Sequence, residues 1–405
     1  MTIENVAKRI KENLTTKDYT VITFILYFKL HLIKGWMLKR GIQQSQIWKH
    51  INDEKHSFNL KNVENLESHL RNEFNELNRL YGYKVVNIVK TKWNELGLDT
   101  IKKEIEINKN GIQNIIELLD EEFKHLTIDS TMDLFEELNG SDRGLNDYFT
   151  PTSLSKLIGK MVSSKEYGNT VNIYDPSIGM GRLMYHSVME LKEKHPLSVI
   201  NVFGVDLNTR FAVFTESLLS LINFNRVFIE VGNTLKDNFN FPKMDMCISN
   251  PAYDGKIEYE FLEHIKNLNC KTFAILPNGF TFQNKVKKLR KELMDNNLLK
   301  TVVQLPEKLF KNTNIATVII ELDNNPLLEV EKLCINNKLD FLKIDYSKDV
   351  KSQIKEFEEK YISTEEPKRE INLIESRNKI TDAINQLHRM IGENVLIIED
   401  TKRAS

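Results

Sequence analysis

Seven short apolar runs punctuate residues 171–322 of this 405-residue chain, and most are separated by stretches with helical spacing. They are Val171–Tyr174, Val199–Val205, Val227–Val231, Met244–Ile248, Thr272–Leu276, Thr301–Leu305 and Thr317–Leu322. Segments such as Arg210–Leu221 and Lys285–Met294 fit as the helices between them. Strands and helices alternating in this way predict an α/β domain whose sheet is mostly parallel and covered on both faces. Asn312-Thr313-Asn314, just before the last run, predicts a hairpin turn, so the sheet of seven strands closes with an antiparallel pair.

The residues before about position 140 have a different pattern. Val21, Phe24, Ile25, Phe28, Leu32 and Ile33 recur at helical spacing. So do Val63, Leu66, Leu70, Phe74 and Leu77, and later Ile112, Ile115, Ile116 and Leu119. Almost no Gly or Pro interrupts them, and a helical bundle is expected. Trp36, Trp48 and Trp93 all fall in this part and are assigned to its core or to an interface. At Asn139–Gly144 the composition turns loop-like. Beyond Leu322 the chain is more charged. Asp340–Tyr346 is expected as a strand, and Leu373, Ile380, Ile384, Leu387 and Ile391 trace one face of a helix that docks on the chain itself or on another helix. The expected domains are therefore 1–140, helical; 141–325, the α/β domain; and 326–405, an extension ending in an amphipathic helix.

Composition excludes more than it assigns. At 41% hydrophobic and 28% charged the chain is of ordinary globular make-up, and no run is long enough to span a membrane. The nearest candidate, Val21–Met37, is broken by Lys29, His31 and Lys34, and Met1–Leu14 lacks the apolar core of a signal peptide. A cytoplasmic location is expected. Cys247, Cys270 and Cys334 lie far apart without metal-type spacing, so buried thiols and no metal site are expected. A net charge of −1 provides no general basic footprint, so any nucleic-acid surface must be local or lent by a partner.

Chemistry-bearing residues gather where the strands end. Met244–Ile248 runs into Ser249-Asn250-Pro251-Ala252-Tyr253, and Pro251 cannot continue a central strand. The chain thus places an amide, carbonyls and an aromatic ring at a strand's carboxyl end, where ligands sit in open α/β sheets. An amide beside an aromatic suits a flat polar ring, with the amide oxygen accepting from an exocyclic amine and Tyr253 stacking on the face. After the first strand comes Asp175-Pro176-Ser177-Ile178-Gly179-Met180-Gly181, whose glycines let backbone approach a ligand at a helix N-terminus. An acid there suits a ligand with a cationic amino-acid part. Asp206 ends the second strand, placed for ribose hydroxyls, and Gly232-Asn233-Thr234-Leu235 follows the third, where an adenine edge would lie. Ahead of them all is Asp147-Tyr148-Phe149-Thr150-Pro151, with Thr150 expected as a helix N-cap and Pro151 as the first helical residue.

In this order, and followed by Leu276-Pro277-Asn278-Gly279 and Leu305-Pro306-Glu307-Lys308-Leu309-Phe310, the motifs resemble those of S-adenosylmethionine-dependent DNA adenine-N6 methyltransferases, particularly the modification subunits of type I restriction–modification systems. The resemblance covers roughly residues 145–322. It implies a Rossmann-like class I methyltransferase sheet and S-adenosylmethionine as cofactor, bound by Thr150, Pro151, Asp175, Ser177, Gly179, Gly181, Asp206 and Asn233. Asn250, Pro251 and Tyr253 would form the catalytic loop, and Tyr253 and Phe310 would hold an adenine flipped out of double-stranded DNA. It also implies a separate specificity subunit and a second copy of the chain as partners. Two positions depart from the family: Ala252 stands where a second Pro is usual, and Asn233 where Asp is usual. They keep open a catalytically silent cofactor-binding scaffold. An RNA or glutamine-amide methyltransferase is the other alternative, since each presents a planar nitrogen. The basic cluster Lys285, Lys287, Lys288, Arg290 and Lys291 is expected to be the solvated face of a covering helix, and His186 a surface or packing residue.

Overall fold

The computed structural model of the chain describes residues 2–15, 22–26 except 24, 40–41, 103–122 except 105, 127–139, 149–222, 226–305, 309–310 and 315–324, with two dipeptides at 334–335 and 338–339. The chain divides into two compact units, Met1–Glu358 and Glu359–Ser405, and every described residue belongs to the first. The expected stripes at 63–77 and 373–391, the tryptophans, the turn at 312–314 and the strand at 340–346 lie outside the described residues.

The seven expected strands are all present, two with the expected bounds and the others with ends moved by at most two residues. They are β1 (Thr170–Asp175), β2 (Val199–Asp206), β3 (Val227–Val231), β4 (Met246–Ser249), β5 (Lys271–Pro277), β6 (Leu299–Gln304) and β7 (Thr317–Leu322). They form one sheet in the order β3-β2-β1-β4-β5-β7-β6. β1 to β5 pair in parallel, and β7 lies antiparallel between β5 and β6. Parallel strands buried on both faces cannot alternate polar and apolar residues, which is why they appear in the sequence as unbroken apolar runs. All four residues of β4 are buried, as are all six of β7.

Eight α-helices occur among the described residues: α1 (Ile3–Glu12), α2 (Lys109–Glu122), α3 (Ile128–Asn139), α4 (Thr152–Ser163), α5 (Arg182–Lys194), α6 (Thr209–Ile222), α7 (Ile257–Asn267) and α8 (Lys287–Asp295). The expected stripe on α2 is its packed face, with Ile112, Ile115, Ile116 and Leu119 all buried. α7 and α8 cover β5 to β7 through Tyr259, Leu262, Leu289 and Leu293, which meet Leu276, Val302, Val318 and Ile320. α5 packs on α4 and touches β2 and β4, and α6 packs on β3 and β2. Phe135 of α3 stacks on Phe214 of α6 with ring centroids 4.1 Å apart, joining the helical segment to the sheet's own helices. No helix among the described residues is long and apolar enough to cross a membrane.

β1 has β2 on one side and β4 on the other, so the chain reverses direction of winding there. The crevice outside the carboxyl ends of β1 and β4 is therefore the ligand position that this topology creates. Toward the opposite end of the sheet, Lys165 and Glu321 form an ion pair of 2.7 Å with side chains 8% and 6% exposed. The Thr301 hydroxyl donates to the same carboxylate at 2.9 Å. Lys165→Met takes the ammonium from a buried carboxylate, and we expect a loss of roughly 3–5 kcal/mol in denaturant unfolding. A loss below about 1 kcal/mol would place the pair with solvent-screened surface bridges instead.

Candidate active site

The residues after β1 turn sharply into α5. Gly179 (φ 53°) and Gly181 (φ 74°) take left-handed conformations that an L side chain resists. At Gly181 space also forbids a side chain, because a Cβ would lie 2.5 Å from the Thr215 methyl of α6. The Ile178 N–H of this turn donates to the Val205 carbonyl of β2 (3.0 Å), and carboxylates meet the amides on either side of it. The Ser177 N–H donates to Asp175 Oδ1 (2.9 Å), and the Gly179 N–H donates to Asp206 Oδ2 (2.8 Å). Asp206 Oδ1 accepts from the Asn208 N–H at 2.7 Å. The Thr234 hydroxyl donates to the Pro176 carbonyl (2.6 Å) and the Gly232 N–H to the Asp206 carbonyl (2.9 Å), so the ends of β1, β2 and β3 are tied together.

Both acids sit in poor surroundings for charge. Burial pushes the Asp175 carboxyl up to about 7, the neighbouring Asp206 adds to the rise, and the bonds from Ser177 oppose it. Burial likewise lifts Asp206 to about 6, against the pull of its two backbone donors.

β4 ends at Ser249, whose hydroxyl is 3.2 Å from that of Ser177, and the loop Asn250–Tyr253 follows. Asn250 Nδ2 donates to Thr150 Oγ1 at 3.0 Å, and the Tyr253 hydroxyl donates to Asn250 Oδ1 at 2.5 Å. Tyr253 is 6% exposed, with its hydroxyl 3.5 Å from the Ile275 carbonyl. Pro251 is buried and Ala252 exposed. Glu258, itself buried, anchors the loop's exit by accepting from the N–H groups of Asp254 (3.3 Å) and Gly255 (3.1 Å). Asp254 Oδ1 in turn accepts from Lys256 and Ile257, both at 2.7 Å, which starts α7.

Thr150 does not have the local role expected of it. α4 begins at Thr152, and Pro151 occupies the cap position with φ −59° and ψ 146°. The Pro151 carbonyl accepts from the Ser155 N–H (2.9 Å) and the Ser155 hydroxyl (3.0 Å), while the Thr150 hydroxyl reaches across the site to Asn250. Proline's fixed φ suits an extended lead-in, and the tertiary partner wins over the local cap.

One narrow cleft, enclosing about 50 Å³, is lined by Thr150, Asp175, Ser177, Gly179 and Asn250 together with Arg182. Of the other expected residues, Asp206 and Tyr253 contact that lining through Gly179 and Asn250. Gly181 caps α5 and Pro151 precedes α4. Asn233 lies in the turn after β3, where its Oδ1 accepts from the Leu235 N–H at 3.0 Å. Pro251 and Phe310 are buried and do not line the cleft. His186 is a packing residue, buried against Asp129 at 2.9 Å. In the basic cluster the lysines are exposed, as expected, whereas Arg290 is half-buried and donates to the Phe280 carbonyl at 2.5 Å.

Two contributors were not anticipated. Arg182, 5% exposed, donates to Thr152 Oγ1 (2.5 Å) and pairs with Asp133 (2.7 Å) and Glu136 (3.3 Å) of α3, clamping the helical segment to the cleft. A cation in the first turn of a helix opposes the macrodipole, which is the sequence signal that it needs acidic neighbours. Glu258, four residues after Asp254 at a helix start, carries a comparable signal.

This sheet order, with an acid-and-glycine turn after β1 and a ligand crevice at the switch point, is that of a class I methyltransferase. Residues 127–269 and 255–386 match the N-6 DNA Methylase family model, and the chain belongs to the N-6 DNA methylase family. It is similar to the type I restriction enzyme MpnII methylase subunit of Mycoplasma pneumoniae, 22% identical over 78% of this chain and 66% of that protein. The MjaVIII methylase subunit of Methanocaldococcus jannaschii is 25% identical over 77% of this chain and 63% of its own length. The chain thus spans just under two thirds of the curated relatives it matches. In fold it resembles the crystal structure of a type I restriction-modification system methyltransferase subunit from Streptococcus thermophilus. The TM-score is 0.60 and the identity 16%, covering 90% of this chain and 92% of that one.

Asp175 supplies a test of the site's electrostatics. Its folded carboxyl titrates near 7, against 3.8 as the reference value. Between those pH values the folded state holds a proton that the unfolded chain has released, so stability falls as pH rises through that window. We expect Asp175→Asn to remove this contribution, and its stability relative to the native chain to improve from pH 5 to about pH 7 and to level off above that. Parallel stability–pH curves in denaturant titrations would show that Asp175 ionises normally.

Proposed function

We propose that the chain is a DNA adenine-N6 methyltransferase, acting as the modification subunit of a restriction–modification or related defence system. In this reading a separate specificity subunit and a second copy of the chain complete the assembly on double-stranded DNA. The observation that carries it is the meeting, in one cleft, of the Asn-Pro loop after β4 with the acid-and-glycine turn after β1. The domain reading assigns 1–140 to a helical domain, 141–325 to the catalytic domain and 326–405 to an extension.

The cleft's residues fit S-adenosylmethionine. Burial raises the Asp175 carboxyl and the bonds from Ser177 oppose the rise only in part, so a buried acid lines the cleft where an ammonium group would favour its charged form. Asp206 at the end of β2 suits ribose hydroxyls, Asn233 an adenine edge, and Gly179 and Gly181 bring backbone close. Pro151, Ser177 and the backbone of Thr150 complete the proposed cofactor residues, the Thr150 hydroxyl being taken by Asn250. When bound, the cofactor supplies a methyl group on a sulfonium for a nitrogen lone pair to take.

The protein's share is orientation. Asn250 Oδ1 and the Pro251 carbonyl would accept both hydrogens of the adenine amine, turning its lone pair outward and stabilising positive charge as it grows on N6. The Tyr253 hydroxyl bonds Asn250 Oδ1, so an arriving amine would share that oxygen with it or displace it. Freed, the Tyr253 ring would stack on the flipped base, with Phe310 supporting that wall. Neither departure from the family removes this chemistry. Ala252 is exposed, and the carbonyl that the mechanism needs belongs to Pro251.

The test is transfer of labelled methyl to unmethylated duplex DNA, with and without a co-expressed specificity subunit. We expect N6-methyladenine only with the partner. Asn250→Ala should lower turnover by roughly 10²–10³ while leaving cofactor affinity little changed. Cofactor binding without transfer to DNA under any pairing would refute the reading and favour a silent scaffold.

A further inference from the structure

The resemblance that motivates the functional reading casts Thr150 as a cofactor ligand, but its hydroxyl is engaged elsewhere. It accepts from Asn250 Nδ2 at 3.0 Å, across 100 residues of chain. On the amide's other side the Tyr253 hydroxyl donates to Oδ1 at 2.5 Å. The Asn250 amide is thus held at both ends, with nitrogen toward Thr150 and oxygen toward the ring that would face the base.

We infer that Thr150 is a positioning residue for the catalytic amide: its hydroxyl fixes the plane of Asn250 so that Oδ1, and not Nδ2, meets the substrate amine. The inference rests on the methyltransferase reading for the identity of the substrate, but the geometry stands without it. An amide presented nitrogen-first would set donor against donor and repel an exocyclic amine. Rotation about the last side-chain bond of Asn is soft, so packing alone does not choose between the two ends. A fixed hydrogen-bond partner does. An amine competing for Oδ1 would loosen the Tyr253 hold at the moment orientation matters, while the Thr150 contact on the nitrogen side remains.

Thr150 is itself immobilised to do this. Pro151 fixes the following φ at −59°, and its carbonyl is caught by both the N–H and the hydroxyl of Ser155 in the first turn of α4. The next residue, Thr152, is gripped by Arg182, whose guanidinium is buried against Asp133 and Glu136 of α3. The helical segment, the start of α4 and the catalytic loop therefore form one connected support. The hydroxyl delivered by this support lies in the same cleft as Asp175 and Ser177.

The experiment compares Thr150→Val, which keeps shape and loses the hydroxyl, with Thr150→Ser, which keeps the hydroxyl. We expect kcat for methyl transfer to fall roughly ten- to hundredfold in the Val variant, with the dissociation constant for S-adenosylmethionine unchanged and most of the rate restored by Ser. Weaker cofactor binding with kcat intact would overturn the inference and return Thr150 to the cofactor. A loss in the Ser variant that the Val variant does not share would overturn it in favour of methyl packing, and equal losses in both would overturn it because the hydroxyl alone would not restore the rate. A second measurement needs no turnover. The side-chain amide resonances of Asn250, identified by their disappearance in Asn250→Ala, should shift and exchange faster with solvent in Thr150→Val and stay near native in Thr150→Ser. Resonances that ignore both substitutions would refute the positioning role. If the native chain transfers no methyl under any pairing, the functional reading fails alone, and the amide signals still decide the role of Thr150.

Discussion

Two carboxylates that catch the orphan amides of one turn hold the site in shape. Where β1 gives way to α5 the backbone leaves the sheet before the helix can pair it, so the N–H groups of Ser177 and Gly179 need acceptors. Asp175 and Asp206 provide them, one from the same turn and one from the end of the neighbouring strand. Charge-assisted bonds are strong enough to fix a glycine turn that would otherwise wander. The cost falls on the acids, both of which are forced upward in pKa by the burial that makes them useful. A site that keeps uncompensated acid in its floor is less stable than it could be and better suited to a cationic guest, which is how stability and binding usually trade at functional sites.

The sheet was legible from the sequence because burial on both faces erases alternation. β1 to β7 could be found as apolar runs, and Asn250-Pro251 marked where β4 had to stop. Most of the cleft was legible for a related reason: strand ends are where such residues collect, so Asp175, Gly179, Asp206 and Asn250 could be placed without knowing their contacts. What was hidden is what local pattern cannot hold. Thr150 before Pro151 has the residue type of a cap, yet its hydroxyl answers to a side chain 100 residues away. Arg182 and Glu258 carry only weak local signals, because each acts through neighbours on other segments or on a turn whose geometry only the fold defines. Tyr253 was expected against a base; in this state it is folded onto Asn250, as an aromatic with a hydroxyl tends to be when a partner is near.

The two departures from the family weigh differently. A second proline in the loop after β4 would stiffen it, and Ala252 forgoes that. The loop's exit is stiffened by other means, since Glu258 and Asp254 between them accept from four consecutive N–H groups, Asp254 to Ile257. Its entrance is fixed by the Thr150–Asn250 bond and by Ser249 against Ser177. With both ends held, the residue between Pro251 and Tyr253 can be exposed and small without moving the amide. Asn233 is the deeper change. Its oxygen accepts from the Leu235 N–H, so the group turned away from its own backbone is the amide's NH₂. A carboxylate here would offer an acceptor to the exocyclic amine of a bound adenine ring; an amide held this way offers donors, and donors match that ring's endocyclic nitrogens. On the proposed cofactor reading, the adenine would therefore turn an endocyclic nitrogen toward Asn233, an orientation set by one backbone N–H.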